Sequence, residues 1–340
     1  MRSQRFGIEM EMTGITRKKA AEVIAAYFDT HEVYDGGSYD AYHVTDGQGR
    51  NWKVVSDASI HPAARDGRSA STLYKVEVVS PICHYEDIET IQELVRKLRH
   101  AGACVNRSCG IHIHVDAAPH SVKTLRNLVN IMVSKEDLLY KALAVDVARE
   151  DHYCQKTDLS FLEELNRKKP KSIEIFEEMW YHGDSRSYDH YDETRYHALN
   201  LHSVFSKGTI EFRLFNGTMH AGKVKTYIQL SLAISHQALV QKGASHSRTK
   251  STNEKYTFRT WLLRLGMIGE EFQTARKFLL ENLEGNIAWK DPVQAERQKE
   301  RLAAKRMEEA AHGLQETEEA PEQESETETQ QDEGFTMQMF

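Results

Sequence analysis

Cysteine is scarce in this chain: four residues in 340, at positions 83, 104, 109 and 154, and no Cys-x-x-Cys pair. A disulfide framework is therefore not expected; Cys104 and Cys109 leave zinc or a disulfide open, and free thiols are the simpler reading. Also missing is any apolar run near the roughly 20 residues that cross a bilayer. No signal-peptide pattern precedes the first strand, because Met1-Arg2-Ser3-Gln4-Arg5 leads straight into it. A cytoplasmic protein with no membrane partner is the expectation. A basic excess is lacking too: Lys and Arg number 44 against 51 Asp and Glu, for a net charge of −7. Nine acids between Glu316 and Glu333, with no Lys or Arg among them, account for that sign. The remainder is close to neutral, and no nucleic-acid partner is expected. Internal repeats are absent.

What is present is a set of five short strand patterns, each with its charges on one face. Phe6-Gly7-Ile8-Glu9-Met10-Glu11-Met12 carries two carboxylates two residues apart. Trp52 to Asp57 carries Lys53 and Asp57; Tyr74 to Val79 carries Lys75 and Glu77. Gly110 to Val115 carries His112 and His114, and Thr209 to Leu214 carries Glu211 and Arg213. Residues i and i+2 of a strand share a face, so the charges line up and the intervening positions are apolar. An ordinary half-buried sheet scatters its polar residues in water. Here the polar set is Glu, His, Arg and Lys, which binds metal ions and phosphates.

Carboxylates with one or two imidazoles suit Mg²⁺ or Mn²⁺. Paired carboxylates repel, which raises one pKa unless a cation neutralises them. An arginine on the same face can hold a phosphoryl group beside the metal, and metal plus arginine is the recurring equipment of phosphoryl transfer. Alternating charge on any one such strand is usually a solvated face. Five with complementary chemistry read as one site.

These segments also carry a resemblance. Phe-Gly-Ile-Glu-Met-Glu at 6–11, Trp-Lys-Val-Val-Ser-Asp-Ala-Ser at 52–59, Glu-Val-Val-Ser-Pro at 77–81, Gly-Ile-His-Ile-His-Val at 110–115 and Gly-Thr-Ile-Glu-Phe-Arg-Leu-Phe-Asn-Gly-Thr at 208–218 resemble the amidoligase family. That family belongs to the carboxylate–amine ligases related to glutamine synthetase and glutamate–cysteine ligase. Ala58 is a departure, since Gly is the commoner residue between the Asp and the Ser. The resemblance covers about residues 5–240. It implies an α+β fold: an antiparallel β-sheet with a charged active-site face, packed by helices, as in a glutamine-synthetase-like catalytic domain. It also implies ATP and Mg²⁺ (or Mn²⁺) as cofactors, and an amide bond made through an acyl phosphate. In that scheme Glu9, Glu11, Glu77, one of His112 or His114, and Glu211 hold the metal, while Arg213 stabilises the transferring phosphoryl group. Lys53 or Lys75 contacts phosphate or a substrate carboxylate. Asp57 binds or deprotonates the amine. Ser59, Tyr196 and Asn200 complete the ATP- and substrate-binding set, the last two matching a Tyr and Asn that precede Glu-Phe-Arg in the family.

Between the motifs, helical periodicity appears at Thr16–Asp29, Asp87–Ala101, 121–147, 159–180 (broken near Pro170) and Gly222–Lys242. Residues 198–202 read as a strand joined by a hairpin turn at Ser206-Lys207-Gly208 to the Glu211 strand. The Tyr/His/Asp-rich loop at 181–197 is a candidate for substrate contacts. The expected organisation is a catalytic domain at 1–243, a small helical extension at 244–290, a charged helix at 291–313 and an acidic disordered tail at 314–340. The tail ends Gly-Phe-Thr-Met-Gln-Met-Phe, an apolar tip suited to docking on a protein partner. The leading reading is a ligase acting on a carboxylate and an amine of unknown identity. A metal hydrolase using the Glu/His face and a non-enzymatic assembly protein on a ligase fold are its rivals.

Overall fold

Residues 1–289 and 292–318 are described in this computed structural model. The fold is α+β. Eight strands, β1 (Phe6–Met12), β2 (Glu32–Gly36), β3 (Ala41–Thr45), β4 (Asn51–Val55), β5 (Val76–Val79), β6 (Gly110–Asp116), β7 (Leu199–Asn200) and β8 (Thr209–Asn216), form one antiparallel sheet. Their spatial order is β2-β3-β4-β5-β1-β6-β8-β7. The five charged segments thus take five adjacent places, β4, β5, β1, β6 and β8, and their polar faces merge into one surface. The alternate residues, among them Ile8, Met10, Val54, Val76, Val78, Ile111, Ile113, Ile210 and Phe212, are fully buried on the opposite face.

That apolar face is covered by helices whose stripes were legible. In α1 (Arg17–Phe28), Ala20, Ala21 and Ile24 are buried, and the Thr16 side chain caps the helix by accepting from the Lys19 amide. In α2 (Ile88–His100) the buried stripe is Ile88, Ile91, Leu94, Val95 and Leu98. The segment 121–152 divides into α3 (Val122–Leu143) and α4 (Val147–His152), and 159–181 into α5 (Leu159–Lys168) and α6 (Ile173–Tyr181). After β7 come α7 (His202–Lys207), α8 (Ala221–Val240), α9 (Glu254–Arg264), α10 (Gln273–Leu280) and α11 (Pro292–Glu318). Helix α1 packs on β3 and β4, α8 on β6, and both α2 and α3 on α8.

The expected 198–202 strand is only two residues long, and the chain then turns into α7 rather than a hairpin. Gly208 explains the difference: it has φ 70° and caps α7 at its C-terminus. A left-handed glycine ends a helix as readily as it makes a tight turn, so the same residue served both readings. The chain divides into two compact units, 1–290 and 291–340. Segment 244–290 lies within the first, where α10 packs against α8 and α3. In the second, α11 continues past Gly313, where the sequence suggested its end, to Glu318. The rest of the acidic segment and its apolar tip, 319–340, lie outside the described residues.

Candidate active site

Strand register builds the site. Glu9 on β1 stands opposite His112 on β6, Glu11 opposite Glu77 on β5, and His114 opposite Glu211 on β8. His112 Nδ1 lies 3.1 Å from Glu9 Oε2 and 3.6 Å from Glu211 Oε1. His114 Nδ1 is 3.1 Å from Thr209 Oγ1, while its Nε2 lies 3.2 Å from Glu9 Oε1 without the alignment of a hydrogen bond. Asn200 on β7, opposite Glu211, donates from Nδ2 to Glu211 Oε2 at 2.7 Å. Between β6 and β8 the register shifts: Ile111 pairs with Phe215 but Ile113 with Phe212. The extra residue on β8 is a bulge at Arg213-Leu214, a device that re-aims a side chain. Arg213 Nη1 donates to Glu211 Oε1 at 2.5 Å, and its Nε to the Tyr153 carbonyl at 3.4 Å.

The charges pull the titrations apart. Burial alone would raise Glu9, yet the His114 and His112 imidazoles outweigh it and hold this carboxyl well below the usual range. Burial likewise opposes the Glu211 charge, but Arg213 and the two histidines win and hold it at about 2. Among the described residues the Glu77 side chain forms no ion pair or hydrogen bond; burial, then Glu9, Glu11 and Asp57, push it well above an ordinary carboxyl. Burial and then Asp57 raise Glu11 to about 7, although Glu11 accepts from the Gly110 amide at 2.6 Å. Burial, then Arg213, lowers His112 to about 4. For His114 burial is outweighed by the Glu9 and Glu211 carboxylates, and the pKa rises.

A cavity of about 520 Å³ opens on this face, lined by Glu9, Glu11, Lys53, Asp57, Ser59, Glu77, His112, Tyr196 and Arg213. Nine of the thirteen residues singled out in the sequence therefore share one wall. Glu211 and Asn200 line an adjoining cavity with His190, Arg195 and Lys207, and His114 lines another with Glu9 and Lys207. Lys75 lines none of the three. It precedes β5 and its Nζ donates to the Ala58 carbonyl at 2.7 Å, bracing the turn that carries Asp57. In that turn Asp57 Oδ1 accepts from the Ser59 amide at 2.6 Å and the Ser59 hydroxyl at 2.5 Å. Ala58 has no positive φ, so a Cβ there is tolerated.

Sequence reading missed Arg149 and Tyr153 on and just after α4, Tyr39 in the β2–β3 turn, Ser108 ahead of β6, and Lys207 in α7, all of which line the large cavity. Lys207 had been assigned to a hairpin turn. The others sit outside any strand pattern, and no local spacing marks them. From the loop at 181–197, His190, Tyr191, Arg195 and Tyr196 reach the cavity.

The donor set suits a hard divalent cation. Glu9, His112 and Glu211 each offer an atom within 4.8 Å of the others, and so do Glu11, Glu77 and His112. Four carboxylates and one imidazole favour Mg²⁺ or Mn²⁺ over zinc. A neutral imidazole has one free lone pair, so His112 serves one of the two groups and the other relies on carboxylates. Among the described residues His114 belongs to neither group. All four cysteines are free and none lies in either group.

No helix among the described residues is long and apolar enough to cross a membrane. No curated protein matches the chain. Among solved structures, the crystal structure of a bifunctional glutathione synthetase from Pasteurella multocida aligns at 13% identity with a TM-score of 0.37. That alignment covers 82% of this chain and 46% of the other, so this chain spans less than half of its length. The family model described as "Putative amidoligase enzyme" matches residues 2–235, a span that includes all five charged strands. The chain belongs to the amidoligase family.

Proposed function

We propose that this protein is an ATP-dependent carboxylate–amine ligase that forms an amide bond through an acyl phosphate. The observation that carries the reading is the convergence of Glu9, Glu11, Glu77 and Glu211 with Arg213 on one face of the sheet. Glu9, Glu11, Glu77, His112 and Glu211 would hold Mg²⁺ or Mn²⁺, which supplies charge neutralisation for the ATP phosphates. Arg213, fixed by Glu211 and the Tyr153 carbonyl, presents its remaining guanidinium edge to the phosphoryl group in transfer. Lys53, exposed on β4, reaches the same wall for a phosphate or the substrate carboxylate. Asp57, oriented by Ser59, receives the amine and accepts its proton. The antiparallel sheet with one charged face is read as a glutamine-synthetase-like catalytic domain. The single imidazole in each ligand group argues against a zinc hydrolase. The apolar tip of the C-terminal segment is read as a docking peptide for a protein partner.

The test is ADP release on a panel of amines and carboxylates, with mass spectrometry on the products. Glu211→Ala should abolish turnover, and because it leaves Arg213 buried without its partner it should also lower the melting temperature. Wild-type-like turnover in that variant would remove the site assignment.

A further inference from the structure

The cavity holds a second buried arginine that this ligand set leaves unused. Three arginines are buried among the described residues: Arg17, Arg149 and Arg213. Arg17 pairs with Asp40, and Arg213 with Glu211. Among the described residues Arg149, on α4 and only 2% exposed, forms no ion pair. Its Nη2 donates to the Arg213 carbonyl at 3.3 Å, and its Nε is buried with no partner among those residues. The Tyr153 ring stands 5.9 Å away. Arginine carries its charge at any physiological pH, and an uncompensated buried charge is costly. The backbone is nonetheless shaped to admit it. A Cβ at Gly110 would come within 2.7 Å of Nη1 and 2.8 Å of Cζ, so glycine there leaves the guanidinium in its present place. That guanidinium lines the large cavity, beside Glu11, whose carboxylate is engaged by the Gly110 amide.

We propose that Arg149 binds an oxyanion of a bound substrate, a carboxylate or a phosphoryl group, at the Glu11 end of the cavity. Arg213 is less free for this, since Glu211 and the Tyr153 carbonyl hold it. An incoming anion supplies the counter-charge and the acceptor that Nε lacks, in the bidentate geometry that a guanidinium prefers. The identity of the anion rests on the ligase reading; the existence of its site rests on the unpaired, buried guanidinium.

The experiment uses the full chain with Mg²⁺ and two probes, orthophosphate and acetate, titrated separately by calorimetry and followed by melting temperature. Wild type, Arg149→Gln and Arg149→Lys are compared. In wild type at least one anion binds and raises the melting temperature. Arg149→Gln weakens that binding about 10-fold or more, and Arg149→Lys, which keeps the charge and loses the fork, falls between. Without anion, Arg149→Gln melts no lower than wild type, because it removes an unpaired charge; an arginine serving only the fold would melt lower. A loss confined to orthophosphate assigns the phosphoryl group, and a loss confined to acetate the carboxylate. Equal binding of both anions by wild type and Arg149→Gln, or no binding by wild type, overturns the proposal. Should the glutamine variant fail to fold, Arg149→Lys decides alone, with unchanged affinity as the overturning result. Absence of ligation products would remove the ligase reading and leave these anion measurements standing.

Discussion

At the scale of single residues, the site is a crowd of carboxylates held apart by few cations, and its titration should show this. Burial and Asp57 raise Glu11 from 4.5 to about 7. A group whose pKa is raised by folding contributes stability that is complete below its unfolded value and is lost as pH rises through the folded one. Metal-free protein should therefore lose stability between about pH 4.5 and 7 through this group. Glu11→Gln keeps an acceptor for the Gly110 amide and removes the titration. Its melting temperature should change less across that window and stand a few degrees higher at the alkaline end. Identical slopes for the two proteins in EDTA would show that Glu11 is not the buried titrating group. Arg213 gives a second residue-level expectation. Lys in its place keeps a charge and loses the planar fork that bridges Glu211 and the Tyr153 carbonyl. Arg213→Lys should lower kcat by about 10² while Mg²⁺ affinity persists. An unchanged kcat would make Arg213 a structural partner of Glu211 alone.

Among the elements, α4 is the one that the strand motifs conceal. It is six residues long, and it supplies Arg149 as well as the Tyr153 carbonyl that follows it. Its position depends on Asn216, the last residue of β8. The Asn216 Nδ2 donates to the Ala144 carbonyl at 2.7 Å, and its Oδ1 accepts from the Asp146 amide at 3.0 Å. Two hydrogen bonds thus staple the α3–α4 connection to the edge of the site. Asn216→Ala should cost about 1–2 kcal/mol of stability. It should also lower kcat/KM about tenfold by loosening both arginines, while Mg²⁺ binding by the β1, β5 and β6 carboxylates and imidazole stays intact. Lost stability with unchanged kcat/KM would reduce α4 to a structural element. The sequence already contained Asn216 in the motif Phe-Asn-Gly-Thr, yet nothing local told what it holds. The strands were legible because period two with charged and apolar faces is a local signal. The β8 bulge and α4 were not, because each is defined by its partner across space: Ile111 and Ile113 for the bulge, Ala144 and Asp146 for the staple. The same reasoning covers Gly208, whose left-handed backbone is compatible with a hairpin and with a helix end until the burial of His202 and Ser203 chooses the helix.

For the whole molecule, the five charged motifs sit side by side in the sheet, an order that their sequence positions do not announce. Register does the rest, bringing Glu9 to His112 and Glu11 to Glu77 across neighbouring strands. The same view bears on the C-terminal unit. Every buried core residue of the described chain lies at or before Leu283, and the described side chains of α11, Leu302 and Met307 among them, are exposed. An element with little apolar surface removed from water contributes little to the stability of the body. A protein ending at residue 290 should therefore keep the melting temperature of the full chain within about 2 °C, and the proposed ATP turnover on small substrates within about twofold of the full chain's. If the apolar tip at 335–340 docks a partner, the shortened protein should also lose the affinity that the full chain shows for that partner, with kinetics on small substrates untouched. A large drop in melting temperature would mean that residues beyond 290 complete the body. A drop in turnover alone would place part of the C-terminal unit at the active site.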